Sequence, residues 1–168
     1  MRLHIGGEEI KEGWKILNIQ NKPGVDFIGD ITDLSKFLDQ SVEEVYASHV
    51  LEHIGTQLVE NVIKEIFRIL KQGGIFYVSV PDLEVLIKLF LAEPEGVNKI
   101  NLMRMIYGGQ IDNHDFHYVG FWRDFLYALI KKAGFTSYKK VNFFNIFHDT
   151  SSLNVHGTPI SLNVVCIK

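Results

Sequence analysis

The ten residues VYASHVLEHI, from Val45 to Ile54, begin as an apolar strand and then set Ser48, His49, Glu52 and His53 within six positions. Neutral imidazole accepts a proton near physiological pH, so His49, at the end of that strand, is the leading candidate for a general base. A second polar run, GGQIDNHDFHYVG, carries His114, Asp115 and His117, and either histidine there is suited to the same role. These three side chains also have the chemistry of metal ligands. Three ligands within four loop residues rarely close a site by themselves, and no cysteine is near, so no metal site is expected. The other reading of VLEHI is a turn into a helix, with Glu52 and His53 stabilising the helix start. Phe116, Tyr118, Phe121 and Trp122 form either lid packing or an aromatic wall for a flat apolar face.

The elements that must position these groups follow from the apolar pattern. Arg2–Gly6, Lys15–Ile19, Val25–Ile28, Glu44–Ser48 and Ile75–Val80 read as strands. Between the last two, TQLVENVIKEIFRILKQGG repeats Leu58, Val59, Val62, Ile63, Ile66, Phe67 and Leu70 at helical spacing, with Gly73 as the stop. A second helix is expected over 122–132, closed by Gly134, and SYKKVNFF and PISLNVVCI read as two closing strands. Strands alternating with helices argue for an α/β domain on a largely parallel sheet. The stretch 81–121, with helical pieces at 83–91 and 99–106, is too long for a plain crossover and reads as an inserted lid.

Composition bounds the function. The chain has 168 residues, 46% of them apolar, which suits one domain spanning 1–168 with a real core. A net charge of −3, with scattered Lys and Arg, argues against a nucleic-acid partner. The lone Cys166 sits in an alternating apolar run and reads as a core residue in a reducing cytoplasm. No apolar segment approaches the length of a membrane span, and the start has no hydrophobic signal core, so a soluble, unexported protein is expected.

In a parallel sheet the residues just after the strands meet along one edge. Here they are Gly6 and Gly7, Asn18, Gly29 and Asp30, Ser48 and His49, then Ser79, Pro81 and Asp82. Glycines let backbone approach a ligand, and a carboxylate can accept from a ribose hydroxyl or a nucleobase amine. The same glycines can be plain turn residues, and Asp30 the cap of a short helix near Ser35. Their coincidence at one edge favours a nucleoside site.

The order LHIGG, GWKILNI, GVDFIGDITDLS, YASHVLEH, RILKQGG, SVPDLE, MIYGGQ, HDFHYVGF and KKAGF resembles the compact class I S-adenosylmethionine-dependent methyltransferases, in particular a subfamily associated with lipopolysaccharide or sugar biosynthesis. The resemblance implies a minimal Rossmann-like methyltransferase fold: a mostly parallel seven-stranded sheet with one antiparallel strand and reduced helices on one face. It implies S-adenosylmethionine as cofactor, with Gly6 and Gly7 against its methionine part, Asn18 at the ribose, Asp30 at the adenine, and Ser48 and His49 bordering the methionine and sulfonium. The implied activity is methyl transfer to a small-molecule or glycan acceptor; the alternative is a non-catalytic accessory domain on the same fold. Two departures stand out: only Gly6-Gly7 remain of the glycine-rich loop, and Asn18 replaces the usual acid, without its charge assistance. A dinucleotide site fits worse, because no G-x-G-x-x-G opens a helix.

Loop lengths add one expectation. The links Glu8–Trp14 and Gln20–Gly24 are too short for helical crossovers, so one sheet face should lack its usual helices. Apolar residues on these strands then need another cover, either the pieces between Leu83 and Ile106 or a second subunit; a homodimer is expected.

Overall fold

The computed structural model describes residues Met1–Lys168. In chain order the main strands are β1 (Arg2–Ile5), β2 (Trp14–Asn18), β3 (Phe27–Ile28), β4 (Val42–Ser48), β5 (Leu70–Pro81) and β6 (Ser137–Val141). A two-residue pair, β7 (Asn154–Val155) and β8 (Thr158–Pro159), precedes β9 (Ser161–Ile167). Seven of these form one sheet in the order β3-β2-β1-β4-β5-β9-β6, with β9 antiparallel to both neighbours. The expected mostly parallel sheet with one antiparallel strand is therefore present. The order reverses between β1 and β4, which is where an open α/β sheet leaves a crevice for ligands.

Helices α1 (Thr56–Ile69) and α4 (Arg123–Ala133) cover one face. Helix α1 buries Val59, Val62, Ile63, Ile66 and Ile69 at helical spacing, and α4 buries Leu126, Ile130 and Ala133. Beneath them lie Leu3, Ile5, Val45, Ala47, Phe76, Val78, Leu162, Val164 and Cys166 from alternate strand positions. Gly134 ends α4 in the left-handed conformation, as the sequence predicts, and a Cβ there would strike the Phe67 ring of α1 at 2.9 Å.

Several details differ from the sequence reading. Leu58 is exposed, and α1 stops at Ile69, short of Gly73. Leu70 is already extended because its side chain is fully buried and its backbone pairs with Val42. The last carbonyls of α1 are satisfied instead by Lys168, whose Nζ donates to Phe67 O at 2.6 Å and Leu70 O at 2.8 Å. No helix forms near Ser35: Asp30 and Asp33 accept from the backbone N–H of Thr32 and Ser35, making tight turns. Ile31, Leu34 and Phe37 plug the core from this loop, which Arg68 braces through the carbonyls of Leu34 and Phe37.

The second sheet face has no helix on its aromatic cluster, as the short links require. Within the chain, its cover is not the expected segment between Leu83 and Ile106. Residues 142–152, read in part as an extension of β6, leave the sheet and fold back over it, placing Phe147 among Trp14, Tyr46 and His4, with Phe144 against Tyr77. The argument for a second subunit on this face thus loses its premise. Helices α2 (Leu83–Ala92) and α3 (Val97–Tyr107) pack together at the carboxyl edge, where Leu86 and Leu102 meet Ile160. No helix is long and apolar enough to cross a membrane.

Candidate active site

At the β1/β4 switch point lies a cleft of about 260 Å³ lined by residues from the ends of β1 to β4. Ile5, Leu17, Ile31 and Val50 supply apolar walls, Gly6 a stretch of bare backbone, and Asn18, Gln20 and Asp30 polar groups. Gly6 has φ +74°, and a Cβ there would lie 2.6 Å from Val50 Cγ2, so both conformation and space demand glycine. Gly7 does not line the cleft. It lies against the His4 ring, whose Nδ1 a Cβ would meet at 2.3 Å, and so lets the loop close over a buried histidine. Asn18 lines the cleft, but both ends of its amide are engaged: Nδ2 donates to Gly7 O at 3.1 Å and Oδ1 accepts from Gln20 N at 2.9 Å. It holds the glycine turn in place. Ser48 is directed away, on the face shared with Tyr46 and across from Ser79 of β5.

His49 is the pivot of the site. Its φ of +53° is unusual for a non-glycine residue and turns the chain sharply out of β4, while its N–H stays bonded to Ser79 O. Nε2 lies 2.9 Å from Ser161 Oγ, and Nδ1 lies 3.2 Å from Glu52 Oε1. The chain then forms a 3₁₀ turn over Leu51–His53. Glu52 is fully buried, and neither carboxylate oxygen has a hydrogen-bond donor in line; the His49 contact is an ion-pair distance without that alignment. Burial alone would raise this carboxyl, but the facing His49, joined by His53, outweighs it and holds Glu52 below its ordinary range. This corrects the expectation that Glu52 and His53 stabilise the start of α1. His53 Nδ1 instead contacts Phe116 O at 3.1 Å, and its ring meets that of His117 edge to face at 4.8 Å.

A second cavity, about 310 Å³, adjoins the first and is lined by His49, Glu52, His53, Met105, Asp115 and His117, with Thr150, Leu153 and Ile160 opposite. His49 and His53 line both spaces. The two histidines singled out in the 107–120 segment part company: His114 reaches the first cleft and His117 the second. Burial lowers the pKa of His117 against the raising pull of Glu52. The segment is compact because Gly108, at φ +86°, lies where a Cβ would come within 2.1 Å of Asp115 O. Tyr118 N donates to Glu52 O at 2.8 Å, fixing His117 opposite the 3₁₀ turn. Of the aromatic group, Phe121 is core, while Phe116 and Tyr118 stack on each other and Trp122 stacks on Phe125.

Sequence reasoning gave Glu52 and His53 only a helix-start role and passed over Ser161. The spacing His49, Glu52, His53 was the available signal, since positions i, i+3 and i+4 share one side of a helical turn. Ser161 is 112 residues from His49 and had no local signal.

The first cleft suits a nucleoside ligand bearing a short polar arm. It has apolar walls for a ring, bare backbone at Gly6, and a carboxylate at Asp30 with one oxygen not used by the Thr32 turn. Residues 8–78, most of the chain that builds this cleft, match the family model described as a methyltransferase domain. No curated protein matches the chain. Among solved structures, it is similar to an S-adenosylmethionine-dependent methyltransferase from Thermotoga maritima, a possible histamine N-methyltransferase, at 17% identity and TM-score 0.61, over 99% of this chain and 81% of that one. A methyltransferase from Archaeoglobus fulgidus aligns at 15% identity and TM-score 0.62, covering 99% and 85%. The YcgJ protein of Bacillus subtilis aligns at 16% and 0.59, covering 99% and 90%. Identities this low speak for the fold. The chain thus shares the fold of these methyltransferases, and residues 8–78 match the methyltransferase-domain model.

Proposed function

We propose that this chain transfers a methyl group from S-adenosylmethionine to a hydroxyl of a small-molecule or glycan acceptor. The observation that carries the reading is the pair of adjoining cavities that share His49 and His53. In this reading the first cleft takes the cofactor, with Gly6, Asn18 and Asp30 at its strand ends, and the second takes the acceptor. Bound there, S-adenosylmethionine supplies an activated methyl group; the protein's share is alignment, exclusion of water and removal of a proton. As the acceptor oxygen gains the methyl, its O–H proton passes to His49 Nε2. Glu52, facing Nδ1, orients the ring, and Ser161 Oγ, which donates to Thr150 O at 3.0 Å, flanks Nε2. The histidine and carboxylate lining of the second cavity suits a polar, hydroxyl-rich acceptor. A sugar or lipopolysaccharide precursor in the cytoplasm is the class that the sequence resemblance favours.

Calorimetric titration with S-adenosylmethionine and S-adenosylhomocysteine tests the first half. Asp30→Ala should weaken binding by about 1–3 kcal/mol if its carboxylate accepts from the ligand. Turnover with a panel of sugar acceptors, read as S-adenosylhomocysteine release, tests the second: His49→Ala should lower the rate about 10²- to 10⁴-fold while sparing cofactor affinity. A flat titration with both ligands would remove the reading. One observation favours the accessory alternative, namely that Asn18 offers no carboxylate and has both amide ends engaged. Tight cofactor binding without turnover on any acceptor would select it.

A further inference from the structure

We infer that Glu52, His53 and His117 form a binding site for one divalent transition-metal ion, opening into the second cavity. One ligand atom from each of the three lies within 4.8 Å of the other two. Ligands held at about 2.0–2.2 Å by a single ion are separated by roughly 3–4 Å, so rotamer shifts on the order of an ångström complete the set. The donors, two imidazoles and a carboxylate, are those of open catalytic metal sites, which leave positions for water or substrate.

Two independent observations point to a ligand here. Glu52 is fully buried with neither carboxylate oxygen accepting an aligned hydrogen bond, a costly arrangement for an ionised group unless something positive comes to it. His49 accounts for one oxygen only, through Oε1, and leaves Oε2 free for an ion. The second observation is His53. With Nδ1 turned to the Phe116 carbonyl, the proton sits on Nδ1 and the lone pair on Nε2, the outer contact that orients imidazole for metal binding. His117 is brought to the same place by the Tyr118 to Glu52 backbone bond and by the tight turn at Gly108. The sequence puts other metal-type donors together, His114, Asp115 and His117, from which no site is expected. The fold separates them, because His114 faces the first cleft.

An ion here would lie beside His49, on the acceptor side of the shared wall. A hydroxyl bound to it would be positioned and would lose its proton more readily. That role rests on the methyl-transfer reading; the binding of the ion does not, and can be measured without cofactor or acceptor.

The test uses full-length, tag-free protein stripped with chelator and titrated with Co²⁺, followed by visible absorption, with Zn²⁺ as competitor. Saturation at one equivalent is expected, with an absorption pattern showing nitrogen ligation. His53→Ala and His117→Ala should each weaken uptake more than about 100-fold, beyond the loss common for outer-shell changes. Both residues are only half-buried, and circular dichroism verifies that the variants fold. His148→Ala, on an exposed histidine elsewhere, should bind as the parent does. Absence of one-equivalent uptake by the parent overturns the inference. So does uptake retained by either variant, or uptake lost in His114→Ala while His53→Ala keeps it. S-adenosylhomocysteine binding measured on the same samples separates these outcomes from a failure of the methyltransferase reading.

Discussion

His4 shows how a single side chain can report on the fold. It is 5% exposed, stacked 3.9 Å from the Phe147 ring, with no hydrogen-bond partner on Nδ1, and burial lowers its pKa to about 4. The folded protein holds it neutral, while the unfolded chain takes up a proton near pH 6.5. Between about pH 6.5 and 4 the unfolded state therefore binds more protons, and stability falls as the pH falls through that window. The full loss is about 3 kcal/mol, and it levels off below the folded pKa. Urea unfolding at about pH 7.5 and 4.5 should show His4→Phe losing less stability than the parent over this interval. Equal losses would mean that His4 stays hydrated in the folded protein. Glu52 is the opposite case at the same scale: a buried carboxylate kept ionised by neighbouring histidines.

Among the elements, the least regular one covers the most unusual surface. The 142–152 segment has no long helix or strand, yet it seals the face that short crossovers leave bare. Its anchor is Phe147, in contact with His4, Trp14 and Tyr46, and the Tyr46 hydroxyl donates to Asp149 Oδ2 at 2.8 Å beneath it. Removing this ring leaves a cavity over the centre of the sheet. Phe147→Ala should cost about 3–5 kcal/mol, read as a lowered urea midpoint with an unchanged slope. A loss below about 1 kcal/mol would show that the segment is only loosely attached. The same segment supplies Thr150 to the second cavity, so its packing also shapes that cavity's lining.

On the scale of the whole molecule, Cys166 offers a probe that needs no substitution. Its thiol is fully buried in β9, between β5 and β6, and burial raises its pKa. A thiol reagent should therefore label it only when the sheet opens, at a rate that follows global unfolding. A ligand that binds the native state alone should slow the labelling: at about 100 times its dissociation constant it adds about 2.7 kcal/mol of stability. Protection by S-adenosylhomocysteine is the expected outcome. Rapid labelling of the free protein without denaturant would show that the β9–β6 end of the sheet opens locally.

Much of this architecture was legible in the chain itself. Two-residue alternation marks Leu3, Ile5, Val45, Ala47, Phe76 and Val78 for one face, and the helical spacing from Val59 to Ile69 supplies their cover; both are local patterns that the backbone obeys wherever it lies. The short links after β1 and β2 foretold a face without helices, because a crossover needs a minimum length. What covers that face was not legible. Phe144 and Phe147 sit in a run with strand-like composition, and only the position of β9 between β5 and β6 sends the chain back across the sheet. The site divides in the same way. Strand order brings Gly6, Asn18, Asp30 and His49 to one edge, and this follows from sequence and fold class alone. The partnership of Glu52 and His53 with His117, and of His49 with Ser161, joins residues 64 to 112 positions apart. No local pattern encodes such meetings; the tertiary structure decides them by packing α2 and α3 at the carboxyl edge and pinning Tyr118 to Glu52.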